Sequence, residues 1–288
     1  MILSPITQGA TTLVTKLSVN PLIAYYKSYD VTPLFHGLKE FELRECNDTG
    51  YKFYFPYTLA GDDAFYQHLS KEMLYYIPWK WEHGIANTYT KSGDTVLEQG
   101  CANGDFLVKL KQEKNISPFG TELNTEAKAI ATSKGVSFET TTSADVVCSF
   151  QVLEHIADVQ SYMDEAIQSV KTGGYIIFGV PNNDALVRDD NRGYLNMPPH
   201  HMGLWREQVF RKLPNYFPLE FVTSHKEILQ PHHYRYYYQI HFGDRFLSLG
   251  FIGKVFNKLV YLLIAKWWIT YKAPHITGHT IVAVFKKI

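Results

Sequence analysis

A glutamate followed by widely spaced glycines is the first place in this sequence where residue type and spacing could do chemistry. In "VLEQGCANGDFL", Val96 to Leu107, an apolar run leads into Glu98 and then into a loop with glycines at 100 and 104. Bare glycines let backbone N–H groups and a helix N-terminus approach a ligand closely. The spacing Gly100-x-x-x-Gly104 departs from the G-x-G-x-x-G that cradles a dinucleotide pyrophosphate. A carboxylate beside the loop repels a diphosphate and suits a ligand carrying an ammonium or sulfonium charge. Glu122, in "GTELN", stands where the next strand ends and can accept hydrogen bonds from both hydroxyls of a ribose. Two carboxylates at adjacent strand ends make one site.

A second group of reactive residues lies further on, in the loop "NDALVRDDNRGYLNMPPHHMGLW", where His200 and His201 follow two prolines that stiffen the approach. Histidine is the natural base near neutral pH for an acceptor hydroxyl that must lose a proton. Neighbouring histidines on a loop do not generally point at one spot, so one is read as the base, with His201 preferred, and the other as a positioning residue. A pair of hydrogen-bonded structural histidines stays open beside this. His155, in "LEHI", is placed near the start of a helix, where catalytic and helix-capping roles are both open. A metal set drawn from His200, His201, Asp189, Asp190, His232 and His233 has no ligand spacing on a helix, so no metal is expected. Tyr66, Tyr76, Trp79 and Trp81 could wall a sugar ring with Glu82 as a polar anchor, or pack as a cap.

The elements that must hold these residues alternate between strand-length apolar runs and helix-like segments from about residue 93, the pattern of a parallel sheet covered by helices. Strands are expected at "TVLEQ", "SPFGTE", "VSFET", "DVVCSF", "GYIIFGVPN", "LEFVTSHKEI" and "HTIVAVFKK". Helices are expected through "DFLVKLKQE" and "NTEAKAIATSKG", and from "VLEHI" through "VQSYMDEAIQSVK" to a stop at "TGG". The site loops leave the sheet at strand C-terminal ends, where α/β sites lie. Residues 1–92 are aromatic-rich and irregular and read as an N-terminal cap, residues 93–288 as the main domain, and 228–276 as a helical insertion before the last strand.

The successive segments "VLEQGCANGDFL", "GTELNTEA", "DVVCSFQVLEHI" and "GGYIIFGVPN" resemble, in order and over roughly residues 93–182, the motifs of class I S-adenosylmethionine-dependent methyltransferases. The resemblance implies an α/β fold: a Rossmann-like sheet of seven strands with helices on both faces, and S-adenosylmethionine as cofactor. It implies that Glu98, Gly100, Cys101 and Gly104 bind the methionine end, Glu122 the ribose, Leu123 and Asn124 the adenine face, and Phe150 and Gln151 the far wall. The stretch from Gly135 to Asp145 is shorter than the family usually shows, which leaves Glu139 as the candidate for the adenine amino group. Similar methyltransferases often carry the Glu-His pair of "LEHI" beside the site. "PPHHMGLW" and the aromatic N-terminus look like the branch acting on small molecules, sugars and cell-surface glycan precursors. The expected reaction is methyl transfer to an oxygen of such an acceptor, with N- or C-methylation or an inactive cofactor-binding subunit as alternatives.

Composition bounds these readings. The 288 residues support a core without staples, and 28 Lys+Arg against 28 Asp+Glu argue against nucleic-acid binding by general electrostatics. Cys46, Cys101 and Cys148 are far apart and form no C-x-x-C pair, so neither a disulfide framework nor a zinc site is indicated and a cytoplasmic protein is expected. The N-terminus lacks a basic lead-in and a sustained apolar run, so no signal peptide is read there. The apolar stretch "LVYLLIA" falls far short of the roughly 20 residues of a membrane span. The insertion is locally basic, with Arg235, Arg245, Lys254, Lys258, Lys266 and Lys272 against Asp244. A helix there puts Lys254, Asn257, Lys258 and Tyr261 on one face and Leu259, Val260, Leu263, Ile264 and Trp267 on the other. Membrane-surface contact through 254–268, a dimer face and packing onto the sheet are all open, as is the oligomeric state.

Overall fold

The computed structural model describes residues 1–29, 31–72, 77–190, 193–242 and 250–288. Strands β1 (Thr11–Ser18), β2 (Glu40–Cys46) and β3 (Lys52–Phe55) lie in an N-terminal half that also holds α1 (Asn20–Tyr25), α2 (Asp63–Glu72) and α3 (Trp81–Tyr89). The alternation then runs β4 (Thr95–Gln99), α4 (Asp105–Lys114), β5 (Ser117–Thr121), α5 (Thr125–Ser133), β6 (Ala144–Phe150), α6 (Val159–Ser169) and β7 (Val170–Pro181). It closes with β8 (Gly203–Leu204), α7 (Glu207–Lys212), β9 (Leu219–Ile228), α8 (Tyr234–His241), α9 (Gly250–Val260), α10 (Lys266–Lys272) and β10 (Thr277–Lys287).

The central sheet has the order β5-β4-β6-β7-β10-β9, parallel through its first four strands, with β10 antiparallel to both neighbours. Adjacent residues of each inner strand point to opposite faces, and the burial shows it. Leu97, Val147, Ile176 and Ala283 pack with α6 and α7, whereas Val96, Val146, Ile177 and Val282 pack with α3, α4 and α5. Helices thus cover both faces, which is why these strands read as continuous apolar runs.

The sheet has six strands among the described residues, not seven. "VSFET" contributes one parallel bridge, Ser137 to Phe119, because the run after Phe138 is a string of polar threonines with little to bury. Two boundaries also move. Leu153–His155 forms a 3-10 turn and α6 begins only at Val159, where Asp158 Oδ1 accepts from Ser161 N. "TGG" is not a helix stop, since it lies within the opening residues of β7.

The N-terminal half is more regular than expected: β1, β2 and β3 form an antiparallel sheet completed by β8, so the loop after β7 is stitched into it. Trp205, directly after β8, is fully buried. Its ring lies 4.6 Å from Tyr51 and stacks 4.9 Å from Phe210, and its indole N–H donates to Leu153 O at 3.4 Å. This one side chain therefore ties the small sheet, the histidine loop and one face of the central sheet together. Trp205→Ala is expected to lower stability by about 3–5 kcal/mol, the range for an emptied aromatic site. Urea denaturation followed by circular dichroism measures it.

Candidate active site

The loop after β4 is shaped by backbone that most side chains disfavour. Gly100 and Gly104 have φ of 72° and Ala102 of 47°. The N–H groups of Gly100 and Cys101 both donate to Thr121 O at 2.9 Å, fastening the loop to the end of β5. Glu122, the next residue, accepts from Ala102 N on Oε2 and from Asn124 N on Oε1, each at 2.8 Å. These bonds aim its carboxylate into the cavity and leave each oxygen a second lone pair. Glu98 is buried on β4, opposite Gly120 and Cys148 on its two neighbours. Burial raises its pKa to about 8, with Lys80 pulling it down and Glu122 and Asp105 pushing it up. Its Oε2 is buried with no hydrogen-bond partner. An orphaned acidic oxygen beside a bare loop is a place for a cation.

A large cavity of about 1050 Å³ opens from these strand ends. Gly100, Ala102, Glu122, Leu123, Asn124, Phe150 and Gln151 line it, and so do Tyr66, Trp81, Glu82, His155, His200 and His201. A small cavity of about 50 Å³ adjoins Glu98, Gly100, Cys101 and Phe150. Gln151 is itself left-handed at φ 57° and donates its Nε2 to Glu82 Oε1 at 3.1 Å, so α3 is hinged to the end of β6.

The three histidines converge but do different work. His155 has Nδ1 2.5 Å from His200 O and Nε2 3.1 Å from Gln151 O, so both ring nitrogens face carbonyls and the single N–H of the neutral ring donates to one of them. His200 donates Nδ1–H to Leu195 O at 2.9 Å, and its own carbonyl also accepts from Tyr66 Oη at 3.1 Å. His201 donates Nδ1–H to Asn196 Oδ1 at 3.0 Å, and Asn196 in turn donates to Asn183 Oδ1 at 2.8 Å. That chain fixes the tautomer and leaves Nε2 as the lone-pair nitrogen of a ring that lines the cavity. Burial pushes His201 well below the usual histidine range, aided by His200, His155 and His279, and pushes His155 to about 4 and His200 to about 3. Their nearest ligand atoms lie within 4.8 Å of one another. The His200 and His201 rings stack 21° from parallel, and Nδ1 of each and both nitrogens of His155 already face protein oxygens.

The methyltransferase domain family matches residues 73–224, more than half of the sequence. The chain belongs to that family. A SAM-dependent methyltransferase from Archaeoglobus fulgidus superposes with a TM-score of 0.50 at 17% identity, over 77% of this chain and all (100%) of that one. One from Geobacter sulfurreducens, solved with S-adenosyl-L-homocysteine, has a TM-score of 0.44 at 12% identity, over 77% and 97%. Phosphoethanolamine N-methyltransferase 2 of Haemonchus contortus, solved with S-adenosyl-L-methionine, has a TM-score of 0.46 at 16% identity, over 73% and 52%. These are likenesses of fold. No curated protein matches the sequence.

Within this methyltransferase, not every residue singled out from sequence reaches the cavities. Gly104 lines neither: a Cβ there would sit 2.9 Å from Val136 and 3.0 Å from Ala131, so its bareness serves the packing of α4. Asn124 does line the large cavity, but its side-chain oxygen caps α5, accepting from Glu126 N and Ala127 N. Glu139 is exposed and lines neither cavity, while Phe138 lines the large one. Tyr76 lies outside the described residues. Sequence reasoning placed Glu154 beside the site only through the "LEHI" pair, and missed Glu227, His279, Lys80 and Asn196. Burial raises Glu154 to about 8 and Glu227 to about 7, with Glu82 adding to both. No spacing rule joins these positions, because each comes from a different element.

The Glu98 carboxyl makes stability depend on pH. Its folded pKa, about 8, exceeds the model-compound 4.5, so the stability of its neutral form is full below the lower value and lost as pH rises through the higher. Thermal unfolding is expected to show apo protein weakening from about pH 5 to 8. Glu98→Gln makes that decline shallower and leaves the variant more stable than wild type at pH 8. Identical slopes would show that this carboxyl is not held neutral.

Proposed function

We propose that this methyltransferase moves a methyl group from S-adenosylmethionine to an oxygen of a small polar acceptor, a sugar or glycan precursor. The observation that carries the reading is His201, its Nδ1–H fixed by Asn196, in the same cavity as Glu122 and Gly100. The residues fit the cofactor. Glu98, with its orphaned oxygen, suits the ammonium of the methionine end, and Gly100 with Cys101 and Ala102 allows close approach. Glu122 keeps lone pairs for the ribose hydroxyls, and Leu123, Phe138, Phe150 and Gln151 supply the walls for the adenosine.

When bound, S-adenosylmethionine supplies a methyl on a sulfonium whose thioether leaves uncharged, so the chain's task is alignment and removal of one proton. His201 takes the hydroxyl proton on Nε2, and Asn196 holds the ring so that this nitrogen is the one presented. His155 and His200 brace the loop that carries it. Trp81 and Tyr66 flank the acceptor, and Glu82, Glu154 and Glu227 offer hydrogen-bonding groups for its other hydroxyls. We assign residues 1–92 to a cap over residues 93–288 and place the protein in the cytoplasm, where its three buried free cysteines stay reduced. The convergence of those three buried glutamates supports a second reading, an amine acceptor held by carboxylates and methylated on nitrogen.

Two measurements test this. Binding of S-adenosylhomocysteine, whose ammonium favours ionised Glu98, should release a proton between about pH 6 and 8, read by calorimetry in buffers of different ionisation enthalpy. Glu98→Gln should abolish the release and weaken binding by about 1.5–3 kcal/mol; release unchanged in the variant would remove Glu98 from the site. Turnover, followed as S-adenosylhomocysteine formation with nucleotide sugars, glycan fragments and amines, should fall roughly 10²–10⁴-fold in His201→Ala with cofactor affinity retained. Because the depressed pKa keeps His201 neutral, the wild-type-to-variant ratio should stay constant from pH 6 to 9, an experimental range lying above about 6.5 for most of its span. Full activity in the variant would end its role as base, and turnover with amines alone would select the second reading.

A further inference from the structure

The segment from Gly250 to Lys272 runs as α9, a π turn (Tyr261–Ala265) and α10, and it turns Asn257 and Tyr261 toward the fold and Leu263 and Trp267 away from it. Gly253, Asn257, Tyr261, Ala265, Ile269 and Ala273, each four residues apart, carry the buried and half-buried positions together with Val260. Ile269 and Ala273 are buried with Tyr234 and Tyr238 of α8, Leu186 and Leu229, and Tyr238 Oη donates to Asn257. A period of four drifts around an ordinary α-helix, and the wider π turn offsets part of that drift, keeping the stripe on α8.

What remains outward is apolar. The side away from the stripe reads Phe251, Val255, Leu259, Leu263, Trp267 and Tyr271, with the exposed Ile252, Phe256, Leu262, Ile264 and Trp268 beside them, while Val260 is half-buried against the α8 cluster. Phe251 is 80% exposed, Leu263 74%, Trp267 72% and Tyr271 68%. A crest of this size on a water-facing helix marks a surface with an occupant. Beside it, directly after Gly253, Asn257 and Ala265, stand the exposed Lys254, Lys258 and Lys266. Residues 250–272 contain four lysines and no carboxylate.

We propose that this helix lies in the plane of an anionic membrane surface, its crest in the acyl boundary and its lysines among the headgroups. The arrangement suits that occupant in three ways. The lysines are spread along the helix on one flank and can snorkel to phosphates while their stems cover apolar surface. Trp267, Trp268 and Tyr271 have an apolar body and a polar tip, which suits the interfacial layer. No helix among the described residues is long and apolar enough to cross a membrane, so the contact is with the surface. A second copy fits less well. Twofold pairing crest to crest would set lysine flanks against each other, and the segment has no carboxylate to answer them. The docked helix bears on α8, whose first residue, Tyr234, follows His233 in the cavity wall, so the surface is joined to the site by one turn of chain.

The test is co-sedimentation of the full chain with phosphatidylcholine vesicles, with and without phosphatidylglycerol. Wild type should partition to the anionic vesicles and weaken with added salt. The double variant Leu263→Asp/Trp267→Asp and the triple Lys254→Glu/Lys258→Glu/Lys266→Glu should each bind at least about tenfold less, with circular dichroism and S-adenosylhomocysteine binding unchanged. The proposal is overturned if wild type ignores anionic vesicles or if the lysine variant binds them equally. It is also overturned if light scattering shows a dimer that Leu263→Asp/Trp267→Asp dissociates, which would give the crest to a second copy.

Discussion

Burial of the Glu98 carboxyl at the end of a parallel strand is the constraint around which the site is organised. A carboxyl flanked by two strands is largely withdrawn from water, and its orphaned oxygen has no protein donor to satisfy it. The loop that follows must therefore leave space beside it. Gly100 does this with a left-handed backbone, and a Cβ there would meet Val152 at 2.5 Å. Glu122 holds the same loop from the neighbouring strand through Ala102 N. The carboxyl at one strand end and the fastening at the next act as one device, costly to the empty protein and suited to a cationic ligand.

The histidine side of the cavity, proposed for the acceptor, depends on long-range stitching. His200 and His201 sit on a loop that leaves the sheet after β7, pairs with β3 through β8, and is locked by Trp205. Its histidines are then held by Leu195, Asn196, Tyr66 and His155. The N-terminal half is thus part of the mechanism's scaffold, because the orientation of the proposed base comes from strands more than a hundred residues away. Low polarity around the rings keeps them neutral, which removes the pH step an exposed histidine would show.

The helical insertion obeys a different logic from the rest of the chain. An apolar face on a helix ordinarily turns inward, which is the packing onto the sheet that stood open beside membrane-surface contact and a dimer face. Here the inward stripe is built of Gly253, Ala265 and Ala273 with Asn257 and Tyr261, which permits close approach to α8 and leaves the bulky residues out. This arrangement is legible only once the neighbour is known.

Local chemistry and order of segments made much of the molecule readable from sequence. The run "TVLEQ", the glycine loop and the helix after it follow from apolar continuity and backbone freedom within a dozen residues, and so do Glu98 and Glu122 as partners at adjacent strand ends. The His200–His201 pair was visible as a pair. Tertiary structure alone decided which nitrogen of which ring is presented, since Asn196 and Asn183 have no sequence signature. It also decided that Gly104 packs a helix, that "VSFET" stops at one bridge, and that Glu154 and Glu227 share a cavity with Glu82. Those outcomes depend on what lies across a contact, and a contact between residues far apart in sequence is set by the packing of the whole fold.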